Sequence, residues 1–246
     1  MAISILAALV INGCTNIQQK AQVKEEVTEP IIPYQPTYSK SFLVGKFDPA
    51  DHPDFVEIDE KYADRQGRRM HKEAYLAFTR MYEAAFSEGV ELKIVSAARN
   101  FNYQKGIWER KWSGVTLLEG RVNAGDISSD SERAKAIMKY SAMPGASRHH
   151  WGTDIDINNL NNSYFESGRG KKEFEWLDKH AIEFGFARPY TNKMNGRTGY
   201  EEEKWHWSYL PVSRTMTKDA EYLLRDEDLT GFDGSDIAPV LTIKDQ

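Results

Sequence analysis

The segment 153–157, with the sequence TDIDI, alternates strictly between polar and apolar side chains. Because successive side chains of a strand point to opposite faces, this period of two predicts a strand whose isoleucines face a core. Asp154 and Asp156 then share the opposite face of that strand. Any fold of this chain must therefore place a core on one side of the segment and a polar site on the other.

A second segment, 200–210, is predicted as the last strand of the same site. Its alternation predicts two faces, one with Trp205, Trp207 and Tyr209 and the other with Lys204, His206 and Ser208. On this interpretation, Trp205 packs behind His206 in the core.

Apolar residues at helical spacing predict helices over 71–87, 101–112, 130–140, 172–184 and 212–225. The segment 91–96 alternates as a strand and delivers Arg99 just past its end. Helices interspersed with a few short strands are typical of an α+β domain. We therefore predict an α+β fold with a small central antiparallel sheet flanked by helices.

Two motifs carry the chemistry, SRHHWGTDID and, further along the chain, EKWH. Together they supply two imidazoles, a carboxylate and a further glutamate. A catalytic zinc site needs three protein ligands, an open position for water and a nearby base. We predict His149, Asp156 and His206 as the ligands of one zinc ion and Glu203 as the base, which makes the chain a hydrolase.

The spacing of these residues makes two demands on the local structure. A loop must carry His149 into the strand that holds Asp156, and Gly152 allows the tight path. Glu203 lies three residues before His206, which is roughly 10 Å along a straight strand and on its other face. We therefore predict a turn or bulge near Lys204.

The order and spacing of these motifs resemble the VanY-type zinc D-alanyl-D-alanine carboxypeptidases. These enzymes belong to the LAS peptidases, which cut the stem peptides of bacterial peptidoglycan. The resemblance runs from Ile94 to Tyr209 and includes the segments SAAR, MPG, EWL and FGF. One departure concerns Asp154, because the family usually has a small residue two positions before the zinc aspartate.

The resemblance implies a fold in which zinc is held on a small central sheet, and the hydrolysis of a D-Ala-D-Ala bond. It implies that Glu203 is the base and that Arg99 binds substrate beside the metal, where its charge can stabilise the oxyanion. It further implies that Gln104 and Ser147 contact the peptide.

Two residues in the motifs have open roles. Asp154 could orient a ligand histidine, bind an ammonium group of the substrate, or pair with Arg99 or Arg148. His150 would point away from its neighbour His149, so we expect it to be structural or to form part of the cleft wall.

Other functions stay open at this point. The same chemistry at another bond would make the chain an L,D-carboxypeptidase or an endopeptidase that cuts cross-links, depending on whether the cleft is closed around a terminal carboxylate. A non-catalytic cell-wall binding module would be expected to lack a ligand or the base, and none is missing. A structural zinc site would usually have four protein ligands.

With 40% apolar and 28% charged residues among 246, the composition easily supplies a packed core. The net charge of −5 gives no electrostatic basis for binding nucleic acid, and no such partner is expected. With one cysteine, an internal disulfide is impossible. We expect a monomer.

That cysteine, Cys14, follows an apolar run that is too short to span a bilayer. The arrangement resembles a bacterial lipoprotein signal, cleaved before Cys14, whose thiol is acylated; a plain secretory signal or an unexported protein is the alternative. We predict a signal over 1–14, a flexible tether over 15–40, a zinc peptidase domain over 41–225 and a tail of unknown role over 226–246. The expected location is the cell envelope, with a lipid anchor in the membrane.

Overall fold

The computed structural model describes residues 33–194 and 196–243, which contain seven helices and six strands. The helices are α1 (Lys40–Leu43), α2 (Lys72–Ser87), α3 (Phe101–Trp112), α4 (Asp130–Met138), α5 (Gly168–His180), α6 (Leu210–Leu223) and α7 (Ala238–Leu241). The strands are β1 (Phe55–Glu57), β2 (Arg69–His71), β3 (Ile94–Ser96), β4 (Asp154–Ile157), β5 (Phe186–Ala187) and β6 (His206–Tyr209). Short 3-10 helices cover Ala124–Asp126, Arg148–Trp151, Asn162–Glu166, Ala181–Phe184, Asp226–Asp228 and Ser235–Ile237.

The larger of the two sheets has four antiparallel strands in the order β3–β4–β6–β5. Between β4 and β6, the register pairs Asp154 with Ser208 and Asp156 with His206. The isoleucines of β4, which alternate with these aspartates, are fully buried in the core. The predicted α+β fold with a small antiparallel sheet is therefore confirmed, and the two chemical motifs meet on adjacent strands.

Helix α2 supplies much of the core that supports this sheet. Its buried residues recur every three or four positions and so form one stripe along the helix, namely Ala74, Ala77, Phe78, Met81, Tyr82 and Ala85. They share a cluster with the isoleucines of β4 and with Trp207 of β6. The apolar face of the sheet thus packs against α2, and the opposite, polar face carries the residues of the predicted site.

A second core cluster joins α3 to the C-terminal segment. Trp108 and Trp112 of α3 pack in one cluster with Leu229, Phe232 and Leu241. The indole nitrogen of Trp108 also donates a hydrogen bond to the carbonyl oxygen of residue 233 (2.8 Å). The segment that sequence analysis set apart as a tail over 226–246 therefore packs against the domain as far as residue 243.

Several element bounds differ from those predicted. The last strand begins only at His206 and not at 200, because a turn at 204–205 precedes it. The helix predicted over 172–184 starts at 168 and ends at 180, where a 3-10 turn takes over. The helix predicted over 212–225 starts at 210 and ends at 223.

The N-terminal predictions, including the signal, Cys14 and most of the tether, lie outside the described residues. The last part of the predicted tether packs on the domain, since the backbone N–H groups of Thr37 and Tyr38 both donate to an Asp219 carboxylate oxygen (2.9 and 2.8 Å). Within residues 33–194 and 196–243, no helix combines the length and the apolar character needed to cross a bilayer.

Candidate metal centre and active-site cleft

His149, Asp156 and His206 meet at one point on the polar face of the central sheet. Each offers one ligand atom, and these atoms all lie within 4.8 Å of one another. The side chains come from the 3-10 helix before β4, from β4 and from β6. Because Asp156 and His206 are directly paired in the sheet register, the backbone itself sets their separation. The structure thus brings the three predicted ligands together.

The side-chain nitrogen and oxygen atoms that point into this cluster fit a divalent cation. His149 Nε2 and Asp156 Oδ1 are buried and have no hydrogen-bond partner among the described residues. The other ring nitrogens are occupied, since His149 Nδ1 donates to the carbonyl oxygen of Ala97 (2.9 Å) and His206 Nε2 donates to Asp154 (2.8 Å). The remaining ring nitrogens, His149 Nε2 and His206 Nδ1, lie 3.4 and 3.3 Å from oxygens of the Asp156 carboxylate. Buried polar atoms without a hydrogen-bond partner are unfavourable, and a bound cation would supply the partner that His149 Nε2 and Asp156 Oδ1 lack.

The protonation of His149 also suits a metal ligand. Burial and the nearby Arg99 guanidinium lower its pKa, which favours the neutral imidazole that a metal ion requires. Two imidazoles and one carboxylate form a donor set that catalytic zinc sites use.

Glu203 reaches the centre because the chain turns before β6. Its carbonyl oxygen accepts a hydrogen bond from the backbone N–H of His206 (3.4 Å), and its carboxylate lies 3.0 Å from His206 Nδ1. The predicted turn near Lys204 is therefore confirmed. Glu203 is only 6% exposed, and this burial raises the pKa of its carboxyl above the usual value, with His206 opposing the shift.

Asp154 is fully buried beneath the centre. Its Oδ2 accepts hydrogen bonds from His206 Nε2 and Arg148 Nε, both at 2.8 Å, and its Oδ1 accepts from Ser208 (2.6 Å) and Thr153 (3.1 Å). Burial alone would raise the pKa of Asp154, but Arg148 and His206 hold it well below the usual range.

Asp154 therefore contacts His206, the predicted ligand, and also pairs with Arg148, which agrees with two of the open alternatives. The expected contact of Asp154 with substrate does not fit this position, because neither oxygen of its carboxylate is accessible.

Arg99 lies just past β3, as predicted, and faces the same cleft as the centre. Three hydrogen bonds join its segment to that of His149: Arg99 N–H to the His149 carbonyl (3.0 Å), His149 Nδ1 to the Ala97 carbonyl (2.9 Å) and His150 Nδ1 to the Arg99 carbonyl (2.6 Å). His150 also accepts a hydrogen bond from Gly145 N–H (3.0 Å). The structural role expected for His150 is thus confirmed.

Ser147 and Gln104, the two other predicted substrate contacts, lie in different places. Ser147 is 3% exposed and lines a small cavity beside Arg99 and Glu203. Gln104 is 1% exposed, and its amide nitrogen donates to the carbonyl oxygen of Ala142 (2.7 Å). Gln104 therefore supports the loop before the first motif, and the predicted contact with substrate does not fit its burial.

The cleft in front of the centre has a volume of about 410 Å³. Its walls include His149, Asp156, Glu203 and Arg99, together with residues that sequence analysis did not select: Lys111, Tyr140, Ser141, Asn161, Asn162 and Trp205. Trp205, which we expected to pack behind His206, lies in the turn before β6 because the strand begins only at His206. It lies near Tyr140, with ring centres 6.2 Å apart.

Two further tyrosines were missed. The ring of Tyr190 lies edge-on to His206 with ring centres 4.8 Å apart, and it packs against Tyr200. Both line the small cavity beside Ser147. They lie between regular elements, so no periodic pattern could have identified them.

Comparison with known proteins places this geometry in a family context. The family described as VanY: D-alanyl-D-alanine carboxypeptidase matches residues 67–212. YodJ of Bacillus subtilis, a putative carboxypeptidase, is 31% identical over 193 residues, which cover 76% of this chain and 61% of the relative. A D-alanyl-D-alanine carboxypeptidase of Enterococcus faecalis is 28% identical over 132 residues, which cover 54% of this chain and 45% of the relative. The chain thus spans only part of the length of each relative.

Among solved structures, the LdcB LD-carboxypeptidase is similar in fold. It shares 27% identity with this chain at a TM-score of 0.50, over 73% of this chain and 75% of that one. Its structure was determined to explain peptidoglycan recognition. The likeness agrees with the α+β fold.

Proposed function

The chain belongs to the VanY family of D-alanyl-D-alanine carboxypeptidases, and from this membership and the geometry of its site we propose that it is a zinc-dependent carboxypeptidase. The proposed substrates are peptidoglycan stem peptides, and the proposed bond is the one between two terminal D-alanines. His149, Asp156 and His206 would hold one zinc ion per chain.

The observation that carries this proposal is the cluster of three buried ligand atoms with Glu203 beside it. Among the described residues, no fourth histidine, cysteine or carboxylate joins the cluster. The cluster also opens onto the cleft through His149 and Asp156. Three protein ligands and access from a cleft are typical of catalytic zinc, whereas structural zinc is closed by four ligands.

The residues around the centre have separate tasks in hydrolysis. When bound, zinc supplies a Lewis acid that polarises the scissile carbonyl and acidifies a water molecule. Glu203 accepts a proton from the attacking water and returns it to the nitrogen of the leaving D-alanine. The raised pKa of its buried carboxyl brings Glu203 closer to the range in which a general base works at neutral pH. Arg99 provides positive charge for the developing oxyanion and for the peptide beside it.

A second candidate differs only in the bond that is cut. The likeness to the LdcB LD-carboxypeptidase favours an L,D-carboxypeptidase that removes the last residue of a tetrapeptide. The same catalytic residues serve either bond, because specificity depends on how the cleft holds the residues on each side of the scissile amide. An endopeptidase that cuts cross-links would need a cleft that extends past the leaving residue.

The decisive experiment is mass spectrometry of purified muropeptides after incubation with the protein. Pentapeptide, tetrapeptide and cross-linked dimer are supplied separately, with and without chelator. Loss of one D-alanine from the pentapeptide alone is the expected result. Loss from the tetrapeptide would favour the L,D activity, cleavage of the dimer would favour the endopeptidase, and three unchanged substrates would contradict a hydrolase.

We also propose, from the sequence alone, that the protein is exported and anchored to a membrane by acylated Cys14 as a monomer. An envelope location would bring the site to peptidoglycan. The polar segment after Cys14 would then separate the domain from the membrane.

A further inference from the structure

Lys111 is a partly buried cation at the cleft, and the proposed hydrolysis makes no use of it. It lies in the last turn of α3, and its ammonium group donates a hydrogen bond to the hydroxyl of the buried Ser141. Both residues line the cleft together with the metal centre. Within residues 33–194 and 196–243, no carboxylate lies within 4.0 Å of the Lys111 ammonium.

The cleft contains a second cation, the guanidinium of Arg99. Arg99 faces the same cleft, and its buried Nε has no hydrogen-bond partner in the described part of the chain. Burial and the charge of Arg99 lower the pKa of Lys111, with Glu203 opposing. Neither cation has a carboxylate within 4.0 Å among residues 33–194 and 196–243, and such an arrangement is costly for the folded protein.

The acids near these cations are already engaged. Asp156 belongs to the metal centre, and Glu203 contacts His206. Glu119, at the cleft wall, is exposed and pairs with Arg121 (3.5 Å). The charge of Lys111 is thus left for a group that enters the cleft.

We propose that Lys111 binds a carboxylate of the peptide substrate and so acts as a specificity-determining residue beside Arg99. This inference rests on the proposed function, since it assumes that a stem peptide occupies the cleft. The carboxylate is either the C-terminal one or a side-chain carboxylate of an upstream residue. Either carboxylate would accept a charge-assisted hydrogen bond from the Lys111 ammonium group, beside the one that this group already donates to Ser141.

The inference is tested by equilibrium binding, which does not require hydrolysis. Zinc-loaded full-length protein with Glu203→Gln is titrated with three peptides by calorimetry. The parent peptide carries both carboxylates, and each of the other two has one of them converted to the amide. The same titrations are made with two double variants, in which Glu203→Gln is combined with Lys111→Met or with Lys111→Arg. Methionine keeps the length of the side chain, and arginine keeps its charge.

We expect Lys111→Met to weaken binding of the parent peptide by about 10- to 100-fold, the range for loss of a hydrogen bond to a charged group. Lys111→Arg should restore much of the affinity. On the peptide whose amide replaces the recognised carboxylate, Lys111→Met should have little further effect, and this identifies which carboxylate is bound. Arg110→Met, a neighbouring and exposed cation on α3, should change every affinity by less than about twofold.

Three results would overturn the inference: an unchanged affinity in Lys111→Met, an equal loss on all three peptides, or no binding of any peptide. Zinc content and thermal unfolding of each variant show whether the site is intact. Hydrolysis of the parent peptide by the unmodified protein is scored separately. A protein that binds the peptides through Lys111 without cleaving them would contradict the proposed function and leave this inference standing.

Discussion

Asp154 Oδ2 accepts a hydrogen bond from His206 Nε2 and another from Arg148 Nε, each 2.8 Å long. One carboxylate thus orients the proposed metal ligand His206 on one side and neutralises a guanidinium on the other. An acceptor on the outer nitrogen of a ligating histidine fixes its tautomer and raises its basicity. This relationship gives a physical role to the aspartate that departs from the family's usual small residue.

Replacing Asp154 is expected to weaken both zinc binding and the fold. Asp154→Asn keeps the shape of the side chain but removes the charge that Arg148 and His206 share. Zinc affinity, measured by competition with a chelator, should fall by about 10- to 100-fold. The free energy of unfolding, measured in urea on the zinc-free protein, should fall by about 3 kcal/mol because a largely buried guanidinium loses its partner.

The matched control is Asp178→Asn. Asp178 also pairs with an arginine, Arg188 (3.1 Å), but its side chain is 55% exposed. The loss of stability there should stay under about 1 kcal/mol. Equal effects of the two substitutions would contradict a special role for Asp154.

Removal of the metal is expected to abolish activity reversibly. Dialysis against a strong chelator should eliminate D-alanine release, and one equivalent of zinc per chain should restore it. Magnesium should fail, because it prefers an octahedral set of oxygen ligands and His149 and His206 offer nitrogen. Activity that is unaffected by chelation would contradict the assignment of the centre.

Glu203→Gln is expected to separate catalysis from metal binding. The amide cannot accept a proton from water, so kcat should fall by about 100- to 10,000-fold while zinc content stays at one per chain. Glu201→Gln is the control, because Glu201 pairs with Lys193 and its side chain is 41% exposed. A Glu203 variant with full activity would remove this residue from the mechanism.

Gly152→Ala is expected to destabilise the loop that carries His149. Gly152 has a φ of +69°, and an added Cβ would lie 2.4 Å from the ring of Phe55 and 2.9 Å from the backbone nitrogen of His71. Positive φ and overpacking together should lower the free energy of unfolding by about 2–5 kcal/mol.

Gly67→Ala separates these two causes. Gly67 has a similar φ of +76°, but a Cβ there would meet nothing within 4 Å. Its substitution should cost only about 1–2 kcal/mol, the contribution of backbone strain. If the two urea midpoints shift equally, close packing around Gly152 is not the cause.

Cys14→Ser is expected to release the protein from membranes, because serine lacks the thiol that would be acylated. Fractionation of cells that express each form, followed by immunoblotting, measures the distribution. Unchanged association with membranes in the serine variant would contradict a lipid anchor at this residue.

The position of Asp156 on the polar face of the sheet could be predicted because strand geometry has a simple period. The alternation in 153–157 places Asp154 and Asp156 on one face whatever the rest of the fold does. The same arithmetic showed that Glu203 could reach His206 only through a turn, and the structure contains that turn.

The other residues of the site are positioned by tertiary contacts, which leave no periodic pattern in the sequence. Lys111 follows two charged residues near the end of a helix, where a lysine usually faces solvent, and only tertiary packing directs it into the cleft. Tyr190 and Tyr200 come from irregular segments. The C-terminal segment is acidic and contains glycine, which favours a tail, yet Leu229, Phe232 and Leu241 pack into a core cluster through tertiary contacts.

The hydrogen bonds between the Arg99 and His149 segments limit how the specificity of the cleft can change. Moving Arg99 to accept a different peptide terminus would also displace His149, the proposed metal ligand, because the backbone N–H of Arg99 donates to the carbonyl oxygen of His149. Helix α3 and the loop at Asn161 also border the cleft, yet neither provides a ligand. Related enzymes that cut other bonds are therefore expected to differ on these two walls, where substitutions leave His149, Asp156 and His206 in place.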